Sequence, residues 1–257
     1  MKTWDKFVRL NHNLRGTNVY EYRREWIVPD IQQSDGNLHS GYPIVSPLNV
    51  GNATSKTFFL NNTFMLKEGN WGAFHEIGHN MQRDVWTFNG TRQVTCNIFT
   101  LYTMDSLCNC KPWIHSWVRN QLGITEQFLK DGADYEKWKS KAEIALFVYA
   151  QLAREFGWES YKKVFLRYET MTGFTSPRTD QEMIDTWFVI FLEVVEYNLA
   201  PLAHFWNIPL SSETVSHLKK AYPVGFLYDE VTRFAPGRVS ASLQLFPGTA
   251  RGSYKPA

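Results

Sequence analysis

The sequence predicts an α+β protein, with a small β-containing N-terminal part followed by a mainly helical body. Residues 1–66 contain three stretches rich in Val, Ile, Phe and Tyr, namely EWIVPDIQ, GYPIVSPLNV and TFFLNNTFML. This composition is typical of strands. From residue 70 onward, apolar residues recur at helical spacing in one segment after another. Strands followed by a run of helices favour an α+β architecture.

The first predicted helices follow capping signals. Asn70 is a suitable N-cap for a helix over residues 71–83, and a second helix is predicted over residues 92–107. Pro112 suits the first position of a short third helix that closes near Gly123.

Two longer amphipathic helices of similar design come next. The first is YEKWKSKAEIALFVYAQLAREFG, which Gly157 ends, and the second is ESYKKVFLRYETMTG. Thr179 and Glu182 form a capping-box pattern ahead of MIDTWFVIFLEVVEYN, and a final helix follows Ser211 or Ser212.

The end of the chain has a different composition. Beyond Tyr222 it becomes richer in Gly, Pro and Ser, which predicts a loop-rich tail. We therefore expect one domain over residues 1–222 and a tail over residues 223–257.

Composition excludes several classes of partner. The net charge of +2, without a long basic run, indicates no nucleic-acid or acidic-lipid partner. The longest apolar runs, IALFVYAQLA and WFVIFLEVV, are too short to cross a bilayer, so no transmembrane segment is expected. The N-terminus lacks the apolar core of a signal peptide. The compartment stays open: secreted or cell-surface if a signal lies upstream, otherwise cytoplasmic or membrane-associated.

Cysteine and aromatic content leave the function open. Cys96, Cys108 and Cys110 form neither a disulfide framework nor a zinc ribbon. The aromatic fraction of 16% indicates either a large aromatic core or a cleft with platforms for sugar rings or peptide side chains. We expect Trp86 and Trp113 to pack rather than to stack on sugars.

The segment WGAFHEIGHNMQ carries the strongest chemical signal. His75 and His79 lie at i and i+4 of a predicted helix, so both imidazoles leave the same face one turn apart. This spacing lets two ring nitrogens bind one zinc ion at roughly 2.0–2.1 Å. Glu76, one step round the helix, is placed to take a proton from a water that the metal activates. Gly78 removes a side chain beside His79, which lets another backbone or a substrate come close.

The next predicted helix carries the remaining site candidates. In gluzincin peptidases a glutamate on a following helix is the third ligand, and an acidic or amide side chain four residues later supports a ligand histidine. Gln93 and Asn97 stand in this relation, so Gln93 is the candidate third ligand. Asp84 and Asp105 are nearby acids that could replace it. Asp105, about three turns from Gln93, is more consistent with a solvated or capping residue.

Several separated motifs together resemble the enhancin-like metallopeptidases. They are GNLHSGYPIV, WGAFHEIGHNMQ, WTF, GTRQVTCNIFTLY and NLAPLAHFWNIPLS, in the family's order between about Arg23 and Pro223. This family includes mucin- and glycoprotein-cleaving enzymes of bacteria and viruses, and the animal TRP-channel-associated factors. The resemblance implies a gluzincin-like catalytic domain that lacks its first part.

The resemblance also implies a zinc cofactor and roles for individual residues. His75 and His79 match zinc ligands, and Glu76 matches the general base. Gln93 matches a position where active members carry glutamate, and Asn97 matches the amide that follows the third ligand. Because a neutral amide is a weaker donor than a carboxylate, we expect this site to hold its metal less tightly.

Two further features of the site have alternative interpretations. HSGYPI, residues 39–44, is either an edge strand that pairs with the substrate backbone or an ordinary strand and turn. A donor to the developing oxyanion is expected, and five residues qualify by type. They are His115, Tyr149, Tyr168, Tyr197 and His204.

Two functions from different classes fit these observations. The first is a zinc metallopeptidase that hydrolyses protein or glycoprotein substrates, with Glu76 as general base and then as acid to the leaving amine. The second is a pseudopeptidase, a binding or regulatory module with a membrane-protein partner, as the channel-associated branch of the resemblance implies. Gln93 favours the second function. The intact Glu76 favours the first, because a site without catalysis has no chemical need for that carboxylate.

Overall fold

The computed structural model describes residues 2–32, 38–47, 61–108, 120–173, 175–227 and 235–251. Across these residues the chain is mainly helical with two short pairs of parallel strands, which confirms the α+β prediction. The elements, in chain order, are α1 (Lys2–Arg15), β1 (Ile27–Asp30), β2 (Ile44–Pro47), α2 (Asn62–Lys67), α3 (Trp71–Met81), α4 (Arg92–Leu107), α5 (Leu122–Lys130), α6 (Tyr135–Ser140), α7 (Ala142–Glu169), α8 (Asp180–Val195), α9 (Ala200–Phe205), α10 (Ser212–Ala221), β3 (Phe226–Leu227), α11 (Pro236–Leu245) and β4 (Ala250–Arg251).

The N-terminal part begins with a helix, which the prediction of mixed structure with strands missed. Phe7 and Leu14 are fully buried on α1, and so is the polar Asn11 one turn after Phe7. The Asn11 side-chain amide donates to the Phe7 carbonyl at 2.8 Å and to the Thr103 hydroxyl on α4 at 3.0 Å. A polar residue at a core position therefore interrupts the apolar pattern that would have indicated a helix.

The first two predicted strands are present as β1 and β2. They pair in parallel with Ile27 opposite Ile44. His39 forms an antiparallel bridge with Val45, so the chain just before β2 lies along its other edge. This arrangement brings residues 38–47 towards the helical body.

The third predicted strand, TFFLNNTFML, is wrong in the part that the structure describes. The Asn61 side chain accepts a hydrogen bond from the backbone N–H of Phe64 and so caps α2. An asparagine cap satisfies an otherwise unpaired N–H of the first turn, which favours a helix here. Residues 57–60 of this stretch lie outside the described residues.

Helices α3 and α4 carry the candidate site, and their backbones approach closely at Gly78. Asn70 caps α3, as predicted, by accepting from the backbone N–H of Ala73 at 3.0 Å. In α4, which has the predicted bounds, every residue from 94 to 104 is buried. A Cβ added at Gly78 would lie 2.2 Å from the Cys96 carbonyl oxygen, so the backbone of α4 occupies the space that this glycine leaves.

A helix does end near the predicted position, because residue 120 is helical and a turn follows at residue 121. Gly123 itself lies one residue after the start of the next helix, α5. Its φ is not in the left-handed region, and a Cβ there would meet no atom within 4 Å. Nothing in its conformation therefore requires a helix to stop at this position. Pro112 lies outside the described residues.

The central helices follow most of the predicted signals. Lys141, with φ −113° and ψ 86°, interrupts the first long predicted helix, so that α6 and α7 are separate. Gly157 has φ 73° and ψ 169°, which confirms the predicted break within the stretch assigned to α7. The capping box of Thr179 and Glu182 is present at α8, and Ser211 caps α10.

The C-terminal segment contains a helix, α11, where the sequence predicts loops. Pro236 occupies its first turn. The Arg238 guanidinium donates to the carbonyl oxygens of His204 and Phe205 at the end of α9, at 3.1 and 2.7 Å, and to that of Gly132 at 2.9 Å. Tertiary contacts of this kind stabilise a helix whose Gly, Ser and Val content disfavours it.

The high aromatic content belongs to the core. Trp86, Trp138, Trp187 and Trp206 are all fully buried, which answers for these residues the question of core or cleft. Among the described residues, no helix combines the length and apolarity that crossing a bilayer requires.

Candidate metal centre

Two imidazoles on α3 point at a common position. The Nε2 atoms of His75 and His79 lie 3.1 Å apart, and the two rings are nearly perpendicular, at 88°. Two nitrogens that each bind a cation at about 2.0–2.1 Å are separated by a little more than 3 Å in tetrahedral geometry. The spacing therefore suits a single bound metal ion.

Helix α4 supplies a third donor and a support. Gln93 Oε1 lies 2.9 Å from His75 Nε2, and its side chain also contacts His79. Asn97 Oδ1 lies 2.8 Å from His75 Nδ1, while the Asn97 Nδ2 group donates to the Gln93 carbonyl at 2.9 Å. The amide of Asn97 is thus oriented with its oxygen towards the imidazole, as a residue that supports a ligand histidine requires.

His79 has an equivalent support that the sequence reasoning missed. Gln82 Oε1 lies 2.7 Å from His79 Nδ1, and Gln82 Nε2 donates to the Arg92 carbonyl at 2.8 Å. With the proton on Nδ1, each imidazole donates to an amide oxygen and its Nε2 presents a lone pair, which in His75 also faces Gln93 Oε1 at 2.9 Å. Lone pairs of His75 and His79 that face each other at 3.1 Å repel unless a cation lies between them, so the donor set fits a metal.

Cys96 lies against the same imidazole but has a different role. Its Sγ is 3.5 Å from Nδ1 and 3.8 Å from Nε2 of His75, and the potential ligand atoms of Cys96, His75 and His79 lie within 4.8 Å of one another. Burial, and secondarily the Glu76 carboxylate, raises the pKa of this thiol well above its usual range. Because Sγ lies closer to Nδ1 than to the Nε2 atom that faces the shared position, we assign Cys96 to packing against the ring.

Glu76 lies between α3 and the segment before β2. Its side chain is buried, at 8% exposure, and burial raises the pKa of the carboxyl group. The nearby His75 and His39, and hydrogen bonds from the backbone N–H and the side chain of Ser40, oppose that rise. The HSGYPI stretch therefore runs beside the site, with Ser40 donating to Glu76.

Asn80, one turn after Glu76, binds the same stretch. Its Oδ1 accepts from the Gly41 N–H at 3.0 Å, and its Nδ2 donates to the Gly41 carbonyl at 3.0 Å and to Glu25 Oε2 at 2.6 Å. Burial raises the pKa of Glu25 to about 7, against the lowering effect of hydrogen bonds from Asn80 and Tyr42. Sequence reasoning missed these residues, although an asparagine directly after the second histidine was visible.

The alternative acids do not join the site. Asp84 is exposed in a short 3₁₀ turn after α3. Asp105 is half-buried and accepts a hydrogen bond from the indole N–H of Trp158 at 2.7 Å, a contact that the expectation of a solvated or capping residue did not include. Trp158 directly follows the Gly157 break, and Asp105 on α4 supplies the acceptor for its indole N–H.

The proposed oxyanion donors are distributed over the fold. Tyr149 and Tyr168 are buried in the aromatic core, and Tyr197 packs on Phe226. His204 Nδ1 lies 2.7 Å from the Ser242 hydroxyl on α11. Tyr149 and Tyr168 both contact Trp187 in the core, and His204 contacts α11, so these three candidates are engaged in other parts of the fold. His115 lies outside the described residues.

The two tryptophans near the motif have separate outcomes. Trp86 is fully buried between Phe165 and Tyr168, with ring centroids 5.0 and 5.4 Å away, so the expectation of packing is confirmed. Trp113 lies outside the described residues.

Comparison with known proteins connects this geometry to a family. The sequence profile of Peptidase M60, enhancin and enhancin-like, matches residues 1–207. A TRPM8 channel-associated factor homolog from Danio rerio is 34% identical over 223 residues, which are 84% of this chain and 23% of that protein. TRPM8 channel-associated factor 3 from Rattus norvegicus is 32% identical over 224 residues, 85% of this chain and 23% of that protein. The chain thus spans about a quarter of these relatives.

Solved structures share the fold at low sequence identity. A conserved protein of unknown function from Bacillus anthracis has a TM-score of 0.73 at 18% identity, over 100% of this chain and 50% of that chain. IMPa metallopeptidase from Pseudomonas aeruginosa has a TM-score of 0.50 at 14% identity, over 83% of this chain and 28% of that chain. With a profile match over most of its length and a metallopeptidase among its structural relatives, the chain belongs to the enhancin and enhancin-like peptidases of family M60.

Proposed function

We propose that this domain is a zinc metallopeptidase that hydrolyses peptide bonds in protein or glycoprotein substrates. The observation that carries the proposal is the convergence of three potential ligand atoms beside the buried Glu76. His75 Nε2 lies 3.1 Å from His79 Nε2 and 2.9 Å from Gln93 Oε1. Family membership supports the same reaction class.

The two histidines and Gln93 would hold the zinc ion. A zinc ion bound there supplies a Lewis acid that polarises a carbonyl group and lowers the pKa of water to about 7. Asn97 and Gln82 hold the imidazoles in the tautomer that presents Nε2. These four hydrogen-bonded side chains fix the direction from which a cation is bound.

Glu76 is the proton-transfer group of this proposal. Its carboxylate accepts a proton from the attacking water and returns it to the leaving amine. Burial raises the pKa of this carboxyl group, which makes it a stronger proton acceptor. The donors of Ser40 keep the carboxylate from rotating freely.

A second function is favoured by one residue and by the relatives. Gln93 replaces an anionic ligand by a neutral amide, which weakens the attraction for a divalent cation. The relatives named above are called TRPM8 channel-associated factors. A binding module with a channel partner, in which the peptidase fold is kept without hydrolysis, is therefore the alternative.

The test measures zinc content and hydrolysis of a glycoprotein on the same preparations. We expect about one zinc per chain, absent from the His75→Ala/His79→Ala double variant. Glu76→Gln should keep its zinc and lose hydrolysis by roughly 10²–10⁴-fold. Glu213→Gln, an exposed glutamate of α10, is the matched control and should behave as the parent.

Three results separate the alternatives. Zinc and hydrolysis in the parent, with hydrolysis lost in Glu76→Gln, support the metallopeptidase. Zinc without hydrolysis, under conditions in which a positive-control peptidase cleaves the glycoprotein, favours the binding module. A double variant that retains the parental zinc content would mean that His75 and His79 are not the ligands.

A further inference from the structure

The stretch beside the catalytic helix is held by one side chain. Asn80 makes three hydrogen bonds at once, two to Gly41 and one to Glu25, all between 2.6 and 3.0 Å. Its oxygen meets an N–H, and both hydrogens of its amide nitrogen meet oxygens. No other amino acid of this size supplies one acceptor and two donors in this arrangement.

The backbone at Gly41, which Asn80 binds, has a conformation that favours glycine. Gly41 has φ +136°, which residues with a Cβ rarely adopt, and a Cβ there would lie 3.3 Å from the Pro43 carbonyl oxygen. On the other side, His39 exchanges both of its backbone hydrogen bonds with Val45 at 2.9 Å. Ser40 is therefore fixed from both neighbours.

Ser40 in turn makes two hydrogen bonds to the group that transfers protons. Its backbone N–H and its side chain both bond to Glu76. Glu76 and Asn80 stand at i and i+4 on α3, so both side chains leave the same face of the helix. One turn of α3 thus carries the carboxylate and the residue that holds its hydrogen-bond donor in place.

Glu25 completes the chain of contacts. Its Oε2 accepts from Asn80, and a hydrogen bond with the Tyr42 hydroxyl holds the same carboxyl group. Its other oxygen, Oε1, is buried and has no hydrogen-bond partner among the residues that the structure describes.

We propose that Asn80 is a positioning residue of the site, which fixes Gly41 and thereby holds the two donors of Ser40 on Glu76, with Glu25 as its support. Its effect on the rate rests on the proposed peptidase function. Its effect on the geometry of Ser40 does not. Displacement of a reacting group by about 1 Å can lower a rate by 10²-fold, which sets the scale of the expected effect.

The experiment combines hydrogen exchange with kinetics. In Asn80→Ala, the amides of a peptide covering residues 38–45 should exchange at least tenfold faster than in the parent. The kcat for glycoprotein hydrolysis should fall roughly 10–100-fold with KM within threefold and zinc content unchanged. Asn18→Ala is the matched control, since exposed Asn18 likewise bonds a glutamate and a backbone N–H, and it should change neither readout.

A second pair of variants tests the support. Asn80→Asp loses both donors and places a carboxylate against Glu25, so it should exchange as fast as Asn80→Ala. Adding Glu25→Gln returns a donor across the same contact and should restore part of the protection and of kcat. Ser40→Ala should lower kcat as Asn80→Ala does, and Ser40→Thr should retain the rate.

Each result supports or overturns the assignment. Unchanged exchange in Asn80→Ala, or a change in KM with kcat intact, would overturn it. If the Glu25→Gln/Asn80→Asp variant had the same exchange rate and kcat as Asn80→Asp alone, the role of Glu25 as the support of Asn80 would be overturned. If the parent hydrolyses nothing, the proposed function fails, and the exchange measurement still decides whether Asn80 fixes Ser40.

Discussion

Replacing Gly78 by alanine would place a methyl carbon 2.2 Å from the Cys96 carbonyl oxygen and 2.9 Å from its carbonyl carbon. Both atoms belong to the backbone of α4 and cannot rotate away. The two helices must therefore separate by roughly 1 Å to restore van der Waals contact. The contacts that join His75 to Gln93 and Asn97, at 2.9 and 2.8 Å, would then exceed hydrogen-bonding distance.

The cost of this separation has three parts. Overpacking in a rigid core destabilises by about 1–3 kcal/mol. Each lost hydrogen bond adds about 1 kcal/mol, and the better helix propensity of alanine returns about 1 kcal/mol. The free energy of unfolding should fall by about 3 kcal/mol, which lowers Tm by about 6–12 °C for a chain of this size.

Thermal and urea unfolding measure this change, and a chelator competition assay measures zinc affinity in parallel. Gly72→Ala, on the same helix, is the control, because its Cβ would meet Leu38 Cδ1 at an ordinary 3.5 Å. We expect Gly72→Ala to be neutral or slightly stabilising. If Gly78→Ala unfolded at the same temperature as Gly72→Ala, with equal zinc affinity, the close crossing of α3 and α4 would not determine the site.

Three further predictions follow from single contacts. Gln93→Glu should tighten zinc binding by roughly 10–100-fold in the chelator assay, because it places an anion beside the cation; equal affinity would mean that residue 93 does not bind the metal. Burial, and secondarily Arg15, lowers the pKa of His12 from 6.5 to about 4. Because the unfolded state binds this proton first, stability should fall by about 3 kcal/mol as pH drops from about 6.5 to 4. His12→Gln should flatten that decline, and an unchanged pH profile would contradict the assignment. Tyr161→Phe should cost about 1–2 kcal/mol in urea unfolding, since the Tyr161 hydroxyl donates to the buried Tyr149 carbonyl at 2.7 Å; a loss near zero would mean that this bond contributes nothing.

Local signals predicted the helices that carry the site. Asn70 indicated the start of α3. The i, i+4 spacing places each of two pairs on one helix face, namely His75 with His79 and Gln93 with Asn97. Gly78 indicated that something would approach closely, and the structure identifies it as the α4 backbone. Each of these inferences uses residues within about one turn of one another, where sequence fixes geometry directly.

Contacts between distant segments could not be predicted in the same way. Ser40 and Glu76, or Asn80 and Glu25, are far apart in sequence, and nothing in their types says that they meet. The same reason explains α11, whose weak helix propensity is overridden by the docking of Arg238 on the end of α9. Tertiary context decided both.

The burial of α4 has a consequence for the entropy of ligand binding. Because residues 94–104 are enclosed on all sides, Asn97 and the backbone next to Gln93 are held by the core whether or not an ion is bound. Small zinc domains fold only when metal gathers their ligands, so the binding free energy is also their folding free energy. Here Asn97 and Gln82 hold the imidazoles of His75 and His79 in place, so a metal ion that binds them immobilises little that was mobile. Removal of the ion should therefore leave a folded chain with an intact donor set.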